Sequence, residues 1–337
     1  MTPARDQRKD QEDGEWPFDL SLALSQARQL TALHQKNVHG AFAGGYRSVF
    51  KGSGIEFDEV REYVEGDDPR SVDWQITARM GRPFIKRFVE EREQTVGFLV
   101  DAQPSVRCGL GPYSTREMQA RLLSVLALTA AQNDDKTALV RYGNSGLDPV
   151  DGARGLDHAL RLARHILDED DDVELNATEA GQAPRLVEAV DHAIRHWRVR
   201  SLVILCSDFV EVPDESTREA IFRARQHFDL RVLQVVPPEL ATSIDDSAEC
   251  TGWQTLRDPS RGSTLSVDWS NGAVRDHYHQ RLNAWRRSLE EVWMSAGVSC
   301  TRALSPTEKG SAADSSTLEV LQQLYRARAG NLGGVST

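Results

Sequence analysis

From Thr95 to Val236, short and mostly apolar runs take turns with amphipathic stretches, and few folds accept that order. Thr95–Val100 and Leu202–Cys206 are apolar nearly throughout, and Thr137–Tyr142 and Leu230–Val236 are apolar but for Arg141, Arg231 and Gln234. Strands of this kind are buried on both faces. Between them lie Arg116–Gln132, with Met118, Leu122, Val125, Leu126 and Thr129 on one face, and Gly155–Leu167, with Leu156, Leu160, Ala163 and Leu167 on its face. Leu186–Trp197 and Arg218–His227 are two further helical segments. Strands alternating with helices predict an α/β fold, a doubly wound and mainly parallel sheet covered on both sides. In such sheets the binding crevice lies at the carboxyl ends of the strands. Asp101 and Asp208 each stand just past an apolar run, at that edge.

The flanks are of a different kind. Residues 1–17 carry charge without apolar spacing and read as a disordered tail. Leu20, Leu24, Ala27, Leu30 and Leu33 recur at three- and four-residue steps, which predicts a helix within residues 18–43, ended by the glycines from Gly40 to Gly54. Residues 44–94 read as two strands flanking a short helix that begins near Pro69. The sheet domain is expected over residues 95–240. Beyond Pro237 and Pro238, Thr251–Leu256 and Ser263–Val267 predict a hairpin, and Ala273–Met294 a long helix. A last short helix is expected over Ser316–Ala327. Residues 241–329 are expected to pack on the same body, with 330–337 as a tail.

With 337 residues and 39% hydrophobic content, the chain has enough apolar matter for a sizeable core. A net charge of −11 argues against nucleic acid or an anionic membrane as the partner, because both are bound through an excess of Lys and Arg. Cys108, Cys206, Cys250 and Cys300 form no CxxC pair, so free thiols in a reducing cytoplasm are expected. No run approaches the length of a membrane span, and the first residues lack the apolar core of a signal peptide.

Residues 44–93 hold an unusual density of special residues: Ser48, Gly52, Gly54, Glu56, Phe57, Arg61, Tyr63, Gly66, Asp67, Asp68, Arg70, Asp73, Trp74, Ala78 and Arg79. In that spacing they resemble the domain of unknown function 58 family, in its short form without transmembrane helices. The resemblance continues through LVDAQPS, LVILCSDF and the hairpin. It implies a von Willebrand factor A-like (Rossmann-like) sheet, and a MoxR-type AAA ATPase as the partner. It also implies a metal-ion-dependent adhesion site built on a D-x-S-x-S loop, a threonine and a distal aspartate. Asp101 and Ser105 match the loop and Asp208 the distal aspartate, but Gln103 replaces the middle serine. No threonine stands in the matching GQAPRL segment, and Thr178 lies several residues upstream. Mg²⁺ asks for near-octahedral oxygen ligands, which leaves two readings: a site that still takes Mg²⁺, and a degenerate one whose fold survives without it.

Other constellations are weaker. Glu56, Arg61, Asp67, Asp68, Arg70, Asp73 and Arg79 mix carboxylates with arginines, which favours an ion-pair network fixing a loop over a partner surface or catalysis. Trp74 is expected as a core anchor. GSGIEF lacks the GK[ST] of a phosphate loop. Asp168, Asp170, Asp172 and Glu179 mimic a calcium loop, but Val173 stands where the turn needs glycine. His192 and His196 are four apart on a helix without an evident third ligand. The function expected is therefore non-enzymatic: an adaptor that acts with a MoxR-type ATPase on an unknown client. A metal-dependent hydrolase using the crevice carboxylates, and a structural paralogue with an eroded site, are the alternatives.

Overall fold

The computed structural model describes residues 19–41, 55–64, 67, 72–90, 95–109, 111–144, 146–168, 186–241, 252–258, 262–307 and 317–324. The chain divides into two compact units, residues 38–94 and the remainder.

The smaller unit is a two-stranded antiparallel sheet, β1 (Ile55–Glu62) on β2 (Phe84–Glu90), with α2 (Trp74–Met80) between them in sequence. Residues of the family-like motif make its turns. Asp67 accepts a hydrogen bond from Val64 N at 2.9 Å, and Tyr63 OH donates to Asp67 O. Asp73 caps α2, its carboxylate accepting from Gln75 N and Ile76 N, while Gly81 closes the helix in the left-handed region at φ 69°. On β1, Glu56 stands opposite Val89, Phe57 opposite Phe88 and Arg61 opposite Ile85, with a register shift after Phe57. Trp74 is not a core anchor: it is 74% exposed. The reason is geometric, since among the described residues of this unit a helix of seven residues beside two strands offers no third layer to enclose an indole. Arg79 is exposed in the last turn of α2. Ser48, Gly52, Gly54, Gly66, Asp68 and Arg70 lie outside the described residues.

The larger unit is built on a six-stranded sheet. Its strands are β3 (Thr95–Asp101), β4 (Lys136–Gly143), β5 (Gly146–Ala153), β6 (Leu202–Ser207), β7 (Asp229–Val236) and β10 (Ser299–Leu304). The order is β10-β7-β6-β3-β4-β5, parallel throughout except β5, which turns back antiparallel on β4. Numbered from β3, that is the 3-2-1-4-5-6 order of a doubly wound sheet. It is the von Willebrand factor A-like, Rossmann-like arrangement expected from the sequence.

Side-chain alternation sends Val96, Phe98 and Val100 to one face and Leu99 to the other. The first face is covered by α1 (Leu20–Ala41) through Ala23, Ala27 and Leu30, by α3 (Thr115–Gln132), by α4 (Leu156–Leu167), and by a helix over residues 317–324, here α9. The second is covered by α5 (Leu186–His196), α6 (Glu215–His227) and α8 (Gly272–Ala296). α3 is buried nearly all round, as a central helix must be. It starts at a capping box in which Ser114 and Glu117 satisfy each other's backbone N–H. On the second face Gly97 makes room for Trp197, whose ring would lie 2.3 Å from a Cβ at that position.

The chain between β7 and α8 forms a short helix, α7 (Pro238–Ala241), and a separate hairpin, β8 (Trp253–Arg257) on β9 (Thr264–Asp268). The added strand-rich element and the C-terminal hairpin and helix thus occur as the sequence predicts. Among the described residues no helix is long and apolar enough to cross a membrane.

Candidate functional site at the switch point of the sheet

β3 and β6 are hydrogen-bonded neighbours, Val100 pairing with Cys206. The chain leaves β3 towards β4 on one side and β6 towards β7 on the other. Their carboxyl ends therefore part at a topological switch point, where a crevice forms. The crevice has a volume of about 340 Å³, and Asp101, Gln103, Ser105, Ser207 and Asp208 line it. The structure thus brings together all three residues that the sequence singles out as the adhesion-site remnant.

Local chemistry fixes each of them. Asp101 turns the chain by accepting from Gln103 N at 2.9 Å, and Pro104 opens a 3₁₀ turn over Pro104–Arg107 that the fully buried Val106 anchors. Ala102 N donates to Tyr142 O at 2.9 Å, which ties this loop to β4. Gly143 is required beside it, because a Cβ there would meet Ala102 O at 2.9 Å. On the other strand, Ser207 Oγ donates to Asp101 Oδ2 at 2.6 Å and accepts from Phe209 N at 3.0 Å. Asp208 accepts from Val210 N at 3.1 Å and from the Ser105 hydroxyl.

The backbone after Asp208 is bent hard. Phe209 adopts φ 52°, in the left-handed region, and its ring packs edge-on against Trp293 at 4.8 Å. Gln234 Nε2 donates to Asp208 O, and Trp285 Nε1 donates to Phe209 O at 2.9 Å. β7 and α8 therefore clamp the Asp208 turn from below and from the side.

Burial dominates the electrostatics. Asp101 and Asp208 are only 6% and 3% exposed. Burial, and then the charge of Asp208, raise the Asp101 carboxyl to about 7, against the hydrogen bonds from Ser207 and Gln103. Burial also raises Asp208, opposed by the hydrogen bonds from Val210 and Ser105. Glu211 and Asp258 add carboxylates to the crevice wall, and no Lys or Arg lines it among the described residues.

The crevice offers hard oxygen donors, the Asp101 and Asp208 carboxylates and the Ser105 and Ser207 hydroxyls, of the kind that would hold Mg²⁺. Each oxygen of Asp101 accepts one hydrogen bond and Asp208 accepts two, which leaves lone pairs on both carboxylates. Among the described residues no group of three His, Cys, Asp or Glu is arranged to hold a metal ion. Gln103 N is used to turn the loop, and its side chain stands where the resemblance expects a serine hydroxyl. The threonine segment and the calcium-like stretch beyond Asp168 lie outside the described residues. His192 and His196 stack on one another at 4.1 Å between ring centroids, away from this site.

Sequence reasoning missed Ser207, Tyr142, Glu211 and Asp258 as parts of the crevice. Ser207 had a signal, since it precedes Asp208 in CSDF. Asp258 had none, because only the fold of the hairpin carries it to the crevice.

Comparison with known proteins gives the lineage. An uncharacterized protein of Mycobacterium tuberculosis, Rv1480, is 24% identical over 281 residues, covering 83% of each chain. Among solved structures, BatB from Bacteroides thetaiotaomicron covers 69% of this chain and 99% of its own, at 13% identity and a TM-score of 0.40. An aerotolerance-related membrane protein from Bacteroides fragilis has the same coverage, at 12% identity and a TM-score of 0.42. At those scores the likeness adds nothing to what the strand order already establishes. The profile of the protein family of unknown function DUF58 matches residues 59–288. That match spans more than half of the 337 residues, and the chain belongs to the DUF58 family.

Proposed function

We propose that this protein is an interaction module that docks a partner at the crevice between the ends of β3 and β6. In this reading it acts as a cytoplasmic, non-enzymatic adaptor with a MoxR-type AAA ATPase, in the maturation or assembly of a client protein. The observation that carries the docking part is the crevice itself. It is preformed and clamped by Gln234 and Trp285, and it presents buried carboxylates without a cationic neighbour among the described residues. Buried charge of one sign in a shaped cavity favours a guest of the other sign. The ATPase enters through the sequence resemblance of residues 44–93 alone.

The test is a pull-down from native lysate with Mg²⁺ and ATP, using wild type and the Asp101→Ala/Asp208→Ala variant. Recovery of an AAA ATPase by wild type, lost in the variant, supports both parts. Equal recovery by both removes the crevice as the docking surface. No recovery from a lysate shown to contain such an ATPase overturns the adaptor reading.

One observation favours a second reading. A carboxyl raised to about 7 beside another carboxylate is the arrangement of a general acid–base pair. Phosphatase and nuclease assays with Mg²⁺ or Mn²⁺ decide it: turnover abolished by Asp208→Ala would make the protein a hydrolase.

A further inference from the structure

α5 carries two imidazoles on its outer side that the crevice does not use. Leu186, Ala189, Val190 and Ala193 of this helix are buried against the second sheet face. His192 and His196 turn away from that face, one half-buried and the other exposed. They are four residues apart, so the helix sets one above the other with their Cβ atoms about 6 Å apart. The rings are in contact, 4.1 Å between centroids and 22° between planes.

Their nitrogens are prepared to donate lone pairs. His196 Nδ1 lies 2.8 Å from His192 O, and a carbonyl can only accept, so Nδ1 carries the proton. In the neutral ring that leaves the lone pair on Nε2, across the ring from the bond. A backbone carbonyl on one nitrogen is a usual way in which the other is held ready for a metal. Burial, and then the neighbouring charges of His196 and Arg195, hold His192 below its usual range, so this ring also stays neutral near pH 7. The field around the pair is mixed. Asp151 of β5 is close enough for its charge to act on His192, and Glu188 stands one turn before His192 on α5. Arg195 opposes them, its Nε donating to Asp191 O at 3.1 Å, while the Asp191 carboxylate pairs with Arg223 of α6 at 3.0 Å.

We infer that His192 and His196 form a bidentate site for a divalent transition-metal cation of the zinc class, separate from the crevice. Imidazole nitrogen suits zinc, nickel and copper, whereas Mg²⁺ and Ca²⁺ prefer oxygen. Two nitrogens fill two positions of a tetrahedral shell and water fills the rest. No third side chain is needed, which agrees with there being no group of three His, Cys, Asp or Glu arranged for a metal among the described residues. Stacked rings do not themselves chelate. Each turns about its side-chain torsions until both nitrogens meet one ion at about 2.0–2.1 Å, a motion open to side chains on a helix surface.

The experiment is calorimetry and NMR on the full chain, stripped with EDTA and titrated with Zn²⁺ alone at pH 7.5. Zn²⁺ should bind saturably and move the ring signals of His192 and His196 along one curve. His192→Ala and His196→Ala should each weaken binding at least tenfold, while the metal-free protein keeps its melting temperature. His196 is exposed, so its variant carries the test should the other not fold. Asp101→Ala/Asp208→Ala should leave this binding unchanged, and Mg²⁺ at the same concentration should not compete. Unchanged affinity in either histidine variant overturns the inference, because one imidazole is then not a ligand. Zn²⁺ shifts confined to other histidines or to Cys108, or lost in the crevice variant, overturn it as well.

Discussion

Asp101 changes its state within ordinary pH. Its carboxyl sits near 3.8 in an exposed chain and about 7 in the fold. The folded form therefore holds its proton more tightly than the unfolded form. The stability this contributes is complete below about 3.8, falls as pH rises, and is gone above about 7. Asp101→Asn keeps the hydrogen-bonding shape without the titration. The expected result is a variant that gains stability over wild type as pH rises from 4 to 8, by several degrees in Tm at the upper end. Parallel melting curves at every pH would show that Asp101 is not held protonated. Asp101 and Asp208 were legible in the sequence because each ends an apolar run, and a parallel strand's end is where crevices lie. Trp74 was misread, since a large aromatic residue in a dense motif suggests a core anchor, whereas its side chain is exposed.

At the scale of elements, legibility followed burial. β3, β4, β6 and β7 are covered on both faces and left mostly apolar runs. The strands at the two edges left no such mark. β5 contains Pro149 and Gly152 and buries no residue fully, and β10 alternates buried Thr301 and Ala303 with exposed Arg302 and Leu304. Beyond its backbone ladder on β4, β5 is tied by one arginine. Arg141, buried in β4, donates to Asp148 of β5 from Nε at 3.0 Å and from an Nη at 2.6 Å, and to Asp168 O beyond α4 at 3.0 Å. Asp148 also meets His165 at 2.8 Å. Arg141→Ala removes the tie between the edge strand and the end of α4. The pair is half open to solvent, so the expected cost is about 1–3 kcal/mol, below that of a fully buried pair. Hydrogen exchange should show β5 amides opening at least tenfold faster while β3 and β6 keep their protection. Unchanged β5 exchange would mean that backbone pairing alone holds the edge.

At the scale of the whole molecule, thiols report how the core opens. Cys108 is exposed, Cys206 fully buried in the sheet, and Cys300 is pushed up to about 12, chiefly by burial. Burial also raises Cys206 well above its usual range. Alkylation of the native protein, read by mass spectrometry, should modify Cys108 before Cys300 and Cys206, and Cys206 only as fast as the fold opens globally. Early labelling of Cys206 would reveal a local opening of β6 beneath Asp208.

The covering of the first sheet face by α1 has a practical corollary for anyone who cuts this chain. The family match runs from residue 59 to 288. The helix bearing Ala23, Ala27 and Leu30, the edge strand Ser299–Leu304, and the helix that supplies Leu321 and Leu324 all lie outside those limits. A fragment trimmed to the recognisable part of the sequence would lack the sixth strand and would bare part of the apolar surface over α3. Where kinship can be read and where the architecture closes are different boundaries here, and an expression fragment should respect the second.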